Sequence, residues 1–188
     1  MLSLELLDTV PNVDTTILKL AECWKNWRGE RLIPLRQDVR PEALGSALSG
    51  ICIYEVIAPD EVIIRLESGV IRSLTSESAK GANVIAMTPE EDRAIRIERY
   101  QNTLFTPCGM LGRGDLKFAK GKVVDMLSIF LPVAEEVDGP ARFVYVGQQV
   151  ISTNDWKEDE MSVVSDLAHE FHYVDIGAGY PSANSACA

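Results

Sequence analysis

Histidine is almost missing from this chain. His169 and His172 are the two that occur, so the residues ahead of Ile151 can build neither a His-ligated haem nor a Ser-His-Asp triad. Blocks of Lys or Arg are also lacking. With a net charge of −10, the surface repels nucleic acid phosphates and anionic membranes, which excludes both as partners. No apolar run reaches the roughly 20 residues of a membrane span, the longest lying near MLSIFLPVA. The four cysteines, Cys23, Cys52, Cys108 and Cys187, have no close pairing, the pattern of reduced structural thiols. MLSLELLDTV carries Glu5 and Asp8 and no basic leader, unlike a signal peptide. The expected location is cytoplasmic. What is present, 46% hydrophobic and 24% charged residues, is an ordinary globular mixture that excludes wholesale disorder and suits one domain with an extension.

The strongest pattern runs from Gly121 to Ile151. KVVDMLSIFLPVA and RFVYVGQQVI are rich in β-branched and aromatic residues, and Asp138-Gly139-Pro140 between them has turn chemistry. Alternation puts Val124, Met126 and Phe130 on one face of the first strand and Leu127, Ile129 and Leu131 on the other. A sheet apolar on both faces needs a cover on each. Helices from the middle of the chain supply one; a terminal helix or a second subunit supplies the other.

Upstream, Asp14 is placed to cap a helix in which Ile17, Leu18, Leu20, Ala21, Trp24 and Trp27 recur at helical spacing, ending near Gly29. Trp24 and Trp27 pack either on the chain's own sheet or on a partner. An extended connection, RLIPLRQDVRP, leads to a short helix from Pro41 to Leu48. ICIYEVI and EVIIRLES, parted by Ala58-Pro59-Asp60, form a second hairpin. Thr88-Pro89-Glu90-Glu91 reads as a capping box with Pro at the first helical position, opening a helix to about Asn102 that Pro107 stops. CGMLGRGDLKF leads as a strand into the central hairpin, its glycines serving turns rather than a phosphate. After Ile151, STNDWKEDE is an acidic linker, MSVVSDLAHEFHY a short helix, and GAGYPSANSACA a mobile end.

The order of helix, two strands, small helices, a longer helix and three strands is the layout of a PAS domain, an α+β fold with a five-stranded antiparallel sheet, helices on one face and an N-terminal helix. More closely, the chain resembles the bacterial PAS_5 family. WKNWRGERLIPLRQDVRPEAL carries the resemblance, with Trp24, Arg28, Gly29, Pro34, Arg36, Asp38 and Pro41 in family-like order. Arg65-Leu66, the break at Gly81 and Leu131-Pro132 also fit, whereas Glu67-Ser68-Gly69 stands where the family continues with a small residue, Gly and Thr. The division that follows is a lead over 1–13, a PAS-like domain over 14–151 and an acidic, partly flexible extension over 152–188.

The resemblance implies a sensory or adaptor domain without catalysis, acting through contacts biased by a ligand or a partner, with histidine-kinase pathways as a setting. No cofactor anchor is identifiable, and the flavin-binding motif of light sensors with this fold is absent; an unknown small molecule is the remaining ligand class. Tyr100, Met126, Phe130 and Tyr145 are the candidate lining of a pocket between helices and sheet, against a filled core with no ligand. Trp24 and Trp27 are candidates for a homodimer interface. Asp166, His169 and His172 would share one side of a helix, but they fall short of a ligand set, and no metal is expected. Glu90-Glu91-Asp92 and Glu135-Glu136 read as solvated acids. Arg36 and Asp38 read as a charge pair pinning the connection, with partner binding as the other use. The alternatives are a small α+β-cone enzyme of the ketosteroid-isomerase type, with Asp125 as its buried acid, and a purely structural interaction module.

Overall fold

Two hairpins and the strands that flank them pair into one antiparallel sheet in the computed structural model, which describes residues 13–74, 78–118, 122–155 and 164–181. The lead before residue 13, residues 156–163, which hold the rest of the expected linker and the first residues of the expected helix, and the end from residue 182 lie outside the described residues, while residues 152–155 of that linker belong to β5. The elements are α1 (Thr15–Arg28), β1 (Ile51–Ala58), β2 (Glu61–Leu66), α2 (Gly69–Leu74), α3 (Arg93–Phe105), β3 (Gly109–Phe118), β4 (Lys122–Ala134), β5 (Ala141–Asp155), β6 (Val164–Ser165) and β7 (Glu170–Val174). Their order across the sheet is β2-β1-β5-β4-β3, with β6 and β7 both paired to the outer edge of β3.

The central hairpin forms where its sequence places it. β4 and β5 pair from Lys122 opposite Asp155 to Ala134 opposite Ala141, with irregular register beside Met126 and Ala134. Asp138 takes a positive φ of 59° in the turn, a conformation that Asp tolerates better than most residues. The β1–β2 hairpin closes on Pro59-Asp60, with Ala58 opposite Glu61.

Both faces of β4 are buried, each under its own cover. Leu127, Ile129, Leu131 and Val133 pack with Ile17, Leu20, Trp24 and Trp27 of α1. Met110, Val144, Val146 and Phe130 pack with Tyr100 of α3 and with Val84 and Ile85 from the preceding segment. Each large side chain withdrawn from water contributes roughly 1.5–3 kcal/mol, so neither cover is dispensable. The chain supplies both itself: Trp24 is fully buried and Trp27 is 8% exposed, so neither tryptophan faces outward to a partner. Trp24 Nε1 donates to the Pro132 carbonyl at 2.8 Å, and Trp27 meets Tyr145 edge to face. A Cβ on Gly147 would come within 3.1 Å of Leu20 and 3.2 Å of Ile129; the bare backbone there lets α1 lie close to the sheet.

Several local features differ from the sequence reading. Asp14 does cap α1, accepting from the Thr16 and Ile17 amides, and Gly29 ends it at φ 56°. Thr88 does not cap α3. Its hydroxyl donates to the Val84 carbonyl, and the chain enters α3 through a 3-10 turn at Glu90–Asp92. The stretch Pro41–Gly50 is 3-10 helix kinked at Gly45. Asp38 pairs with Arg31, while Arg36 stacks over Phe143 at 4.5 Å, so the two do not pair with each other. The extension holds strand β7, not a helix. Its reach is longer than one strand, since Val174 and Ile176 are buried with α1 and Arg28 donates to the Ile176 carbonyl at 2.9 Å.

Trp24→Phe keeps the apolar bulk and removes the donor to Pro132, leaving a buried carbonyl without its partner. The expected loss is about 1–3 kcal/mol of stability, read as a lower urea midpoint with an unchanged slope.

Candidate functional site

A cavity of about 110 Å³ lies between α3, the face of the sheet beneath it and the chain that leads from β6 to β7. It is partly open to solvent and smaller than the closed apolar cavity of about 150 Å³ that holds benzene, so it suits a small molecule of which one end stays outside. Its floor comes from alternate residues of the strands. Met110, Gly112 and Gly114 of β3, and Met126, Ser128 and Phe130 of β4, all face it, as the period of two requires. Tyr100 and Arg96 and Arg99 come down from α3, and Ser165, Asp166, Ala168 and Phe171 close the outer side.

The glycines of β3 explain how the outer wall comes so near. A Cβ on Gly112 would sit 3.1 Å from the Ala168 side chain, and one on Gly114 would sit 3.0 Å from the Ala168 backbone. These glycines are therefore not turn residues; they admit the crossing chain. That chain is held at many points. The Ser165 amide donates to Met87, the Asp166 amide to Asp115 and the His169 amide to Arg113. Arg96 donates to Ser165 Oγ at 2.8 Å and to the Asp166 carbonyl, Asn102 donates to the Tyr173 hydroxyl at 2.9 Å, and Arg99 lies 3.7 Å over the Phe171 ring.

A buried polar network underlies the inner end. Cys52 donates to Gln148 Oε1 at 3.0 Å, and the Ser68 hydroxyl donates to the same oxygen at 2.8 Å. The Ser68 amide in turn donates to the Cys52 sulfur. Burial pushes the Cys52 thiol up to about 11 and raises Tyr54 and Tyr100 well above the ordinary phenol range. All three groups are neutral in the physiological range, so the cavity meets protonated phenols and not phenolates.

Of the four residues read as pocket lining, Tyr100, Met126 and Phe130 line this cavity. Tyr145 does not. It lies between Val144 and Val146 on β5, and alternation turns it to the α1 side against Trp27. Asp125 is likewise turned away from Met126. Both its carboxylate oxygens accept from Arg113, at 2.6 Å for the shortest bond, so the acid proposed for an isomerase-like site is absent from the cavity. His172 stands opposite Leu111 on β7 and His169 precedes the strand. An extended chain does not gather them with Asp166, which instead pairs with Lys117 at 2.8 Å. Among the described residues no group of three or more His, Cys, Asp or Glu could hold a metal ion.

The sheet order and the covering of both faces bear directly on kinship. A family model described as a PAS domain, PAS_5, matches residues 13–146. The chain belongs to the PAS_5 family of PAS domains. Comparison with curated proteins and with solved structures gave no match. The PAS_5 match ends within β5, so Gln148 and the whole outer wall of the cavity come from chain beyond it.

Sequence reasoning missed Arg96, Arg99 and the outer wall. The arginines recur three apart in RAIRIERYQN, a spacing that sets them together on one side of a helix. Phe171 and Tyr173 alternate with Glu170 and His172, over too few residues to outweigh the helical character of the run that precedes them.

The raised thiols make stability depend on pH. An unfolded cysteine loses its proton near 9.0, whereas Cys52 and Cys108 keep theirs to about 11 in the fold. The folded state then binds more protons, so the contribution is complete below about pH 9 and is lost as pH rises toward 11. Tyr54 and Tyr100 act in the same direction at higher pH. The urea midpoint is expected to fall between about pH 9 and pH 11, and Cys52→Ala is expected to make that fall shallower.

Proposed function

We propose that this PAS domain is a non-catalytic regulatory module in which occupancy of the cavity beneath α3 changes how the β6–β7 extension docks, and with it the surface offered to a partner protein. The supporting observation is the position of the extension. It forms one wall of the cavity, pairs with the edge of β3 and reaches α1 through Val174 and Ile176. A molecule in the cavity therefore presses on an element that touches both covers of the sheet.

A ligand shifts such an equilibrium only by the difference in its affinity for the two arrangements. The wall supplies that difference, because Ser165, Asp166, Ala168 and Phe171 meet the cavity when the extension is docked. Signalling proteins, histidine kinases among them, and a second copy of the chain are the partners in this reading. With Trp24 and Trp27 spent inside the core, a homodimer would use other surface. The cellular setting in the proposal is cytoplasmic, where thiols such as the buried, unpaired Cys23, Cys52 and Cys108 stay reduced.

Arg96→Gln tests the coupling, since Arg96 ties α3 to Ser165 and Asp166. Amide exchange over 164–174 is expected to accelerate at least about tenfold, while β4 and β5 keep their protection. Uniform acceleration across the sheet, or none in the extension, contradicts the reading.

A further inference from the structure

We infer that the cavity beneath α3 takes a small organic monocarboxylate, whose charged group pairs with Arg99 and whose apolar body lies against Met110, Met126 and Phe130. The chemistry of Arg99 carries this furthest. Its Nε is buried and has no hydrogen-bond partner. Among the described residues no carboxylate forms an ion pair with it. A guanidinium stays charged throughout the accessible pH range and offers a planar fork of donors that matches a carboxylate. The guanidinium carbon lies 3.7 Å from the centre of the Phe171 ring, a contact that holds the fork beside the cavity. Burial, the largest effect, and the neighbouring Arg96 charge work against the cation, Tyr173, Asp92 and Glu98 work for it, and the balance is against it. A bound anion would offset that balance.

The neighbouring charges set the number of negative charges the site accepts. Arg96 is already committed to Ser165 and the Asp166 backbone. Asp166 is neutralised by Lys117 at 2.8 Å, and Asp115 lies on the same rim. One unpaired guanidinium beside a second acid suits a monoanion and disfavours a phosphate dianion. The remaining wall is apolar or neutral, with the sulfur-bearing and aromatic side chains of the floor and the protonated phenols of Tyr54 and Tyr100. Such a wall takes an apolar body and rejects a heavily hydrated one. The volume of about 110 Å³ limits that body to a short chain or a single ring.

The inference rests on the regulatory reading for its consequence, not for the binding itself. Benzoate and hexanoate, with benzamide, hexanol and inorganic phosphate as controls, would be titrated into the full chain while backbone amide resonances and hydrogen exchange are followed. The acids are expected to shift resonances of Met110, Met126 and Phe130, and Arg99→Gln to weaken them at least about tenfold. Arg99→Lys keeps the cation and loses the planar fork, so it should bind more weakly than the native chain but more tightly than Arg99→Gln, which separates loss of charge from loss of fold. Benzamide binding as tightly as benzoate, phosphate binding more tightly, an unchanged affinity in Arg99→Gln, or no shift by either acid at about 10 mM each overturns the ligand class. Benzoate binding that depends on Arg99 but leaves exchange over 164–174 untouched preserves the ligand class and overturns the regulatory reading.

Discussion

Strand β4 buries Leu127, Ile129 and Leu131 on one side and Val124 and Met126 on the other, and this double burial governs the rest of the molecule. A strand with polar residues on one face could end its domain at the sheet. This one cannot, because each uncovered face would leave several large side chains in water at roughly 1.5–3 kcal/mol apiece. Helix α1 answers one face with six buried residues. The other face is answered in pieces, by α3, by the segment carrying Val84 and Ile85, and by Phe171 and Tyr173 from the extension. A single helix fills its side closely, as the tight approach at Gly147 shows. The assembled cover leaves the cavity.

The same sheet must also protect its edges, since an open strand is a template for pairing with other chains. Outside β2, the Val84 amide donates to the Val62 carbonyl and the Ile64 amide to Ala82, so the segment before α3 runs along that edge. Outside β3, β6 and β7 occupy the edge in two separate stretches. Between them the chain leaves the plane of the sheet and crosses above Gly112 and Gly114. Edge protection and cavity closure are thus performed by one segment. In the proposed function, this shared segment is what would make a contact that protects the edge sensitive to a molecule beneath it.

Much of this was legible in the residues. Runs of Val, Ile and aromatic residues around Pro59-Asp60 and Asp138-Gly139 specify the hairpins, and Asp14 and Gly29 mark the ends of α1, because these signals act within a few residues. Signals that depend on distant partners were read less well. Thr88-Pro89-Glu90-Glu91 has capping-box spacing, but the Thr88 hydroxyl finds the Val84 carbonyl instead. Asp38 finds Arg31 and not Arg36. MSVVSDLAHEFHY carries enough helical character to hide the alternation of EFHYV, and only the open edge of β3 selects the strand. Tyr100, Met126 and Phe130 border the cavity and Tyr145 does not, because which face of β5 meets which helix is a property of the assembled sheet. The three-residue spacing of Arg93, Arg96 and Arg99 puts them on one helix face, but that Arg99 lacks a partner becomes visible only when its surroundings are known.

The central claim is that the chain beyond the family match is an integral part of the sheet, lying antiparallel against β3 and roofing the cavity. The most direct measurement is a set of through-space proton contacts between β3 and β7 in the isotopically labelled full chain. Cross-strand backbone contacts of Leu111 with His172 and of Arg113 with Glu170 are expected, in the register of an antiparallel pair. Sequential helical contacts over 165–173, or no contact between these residues and β3, would contradict the account.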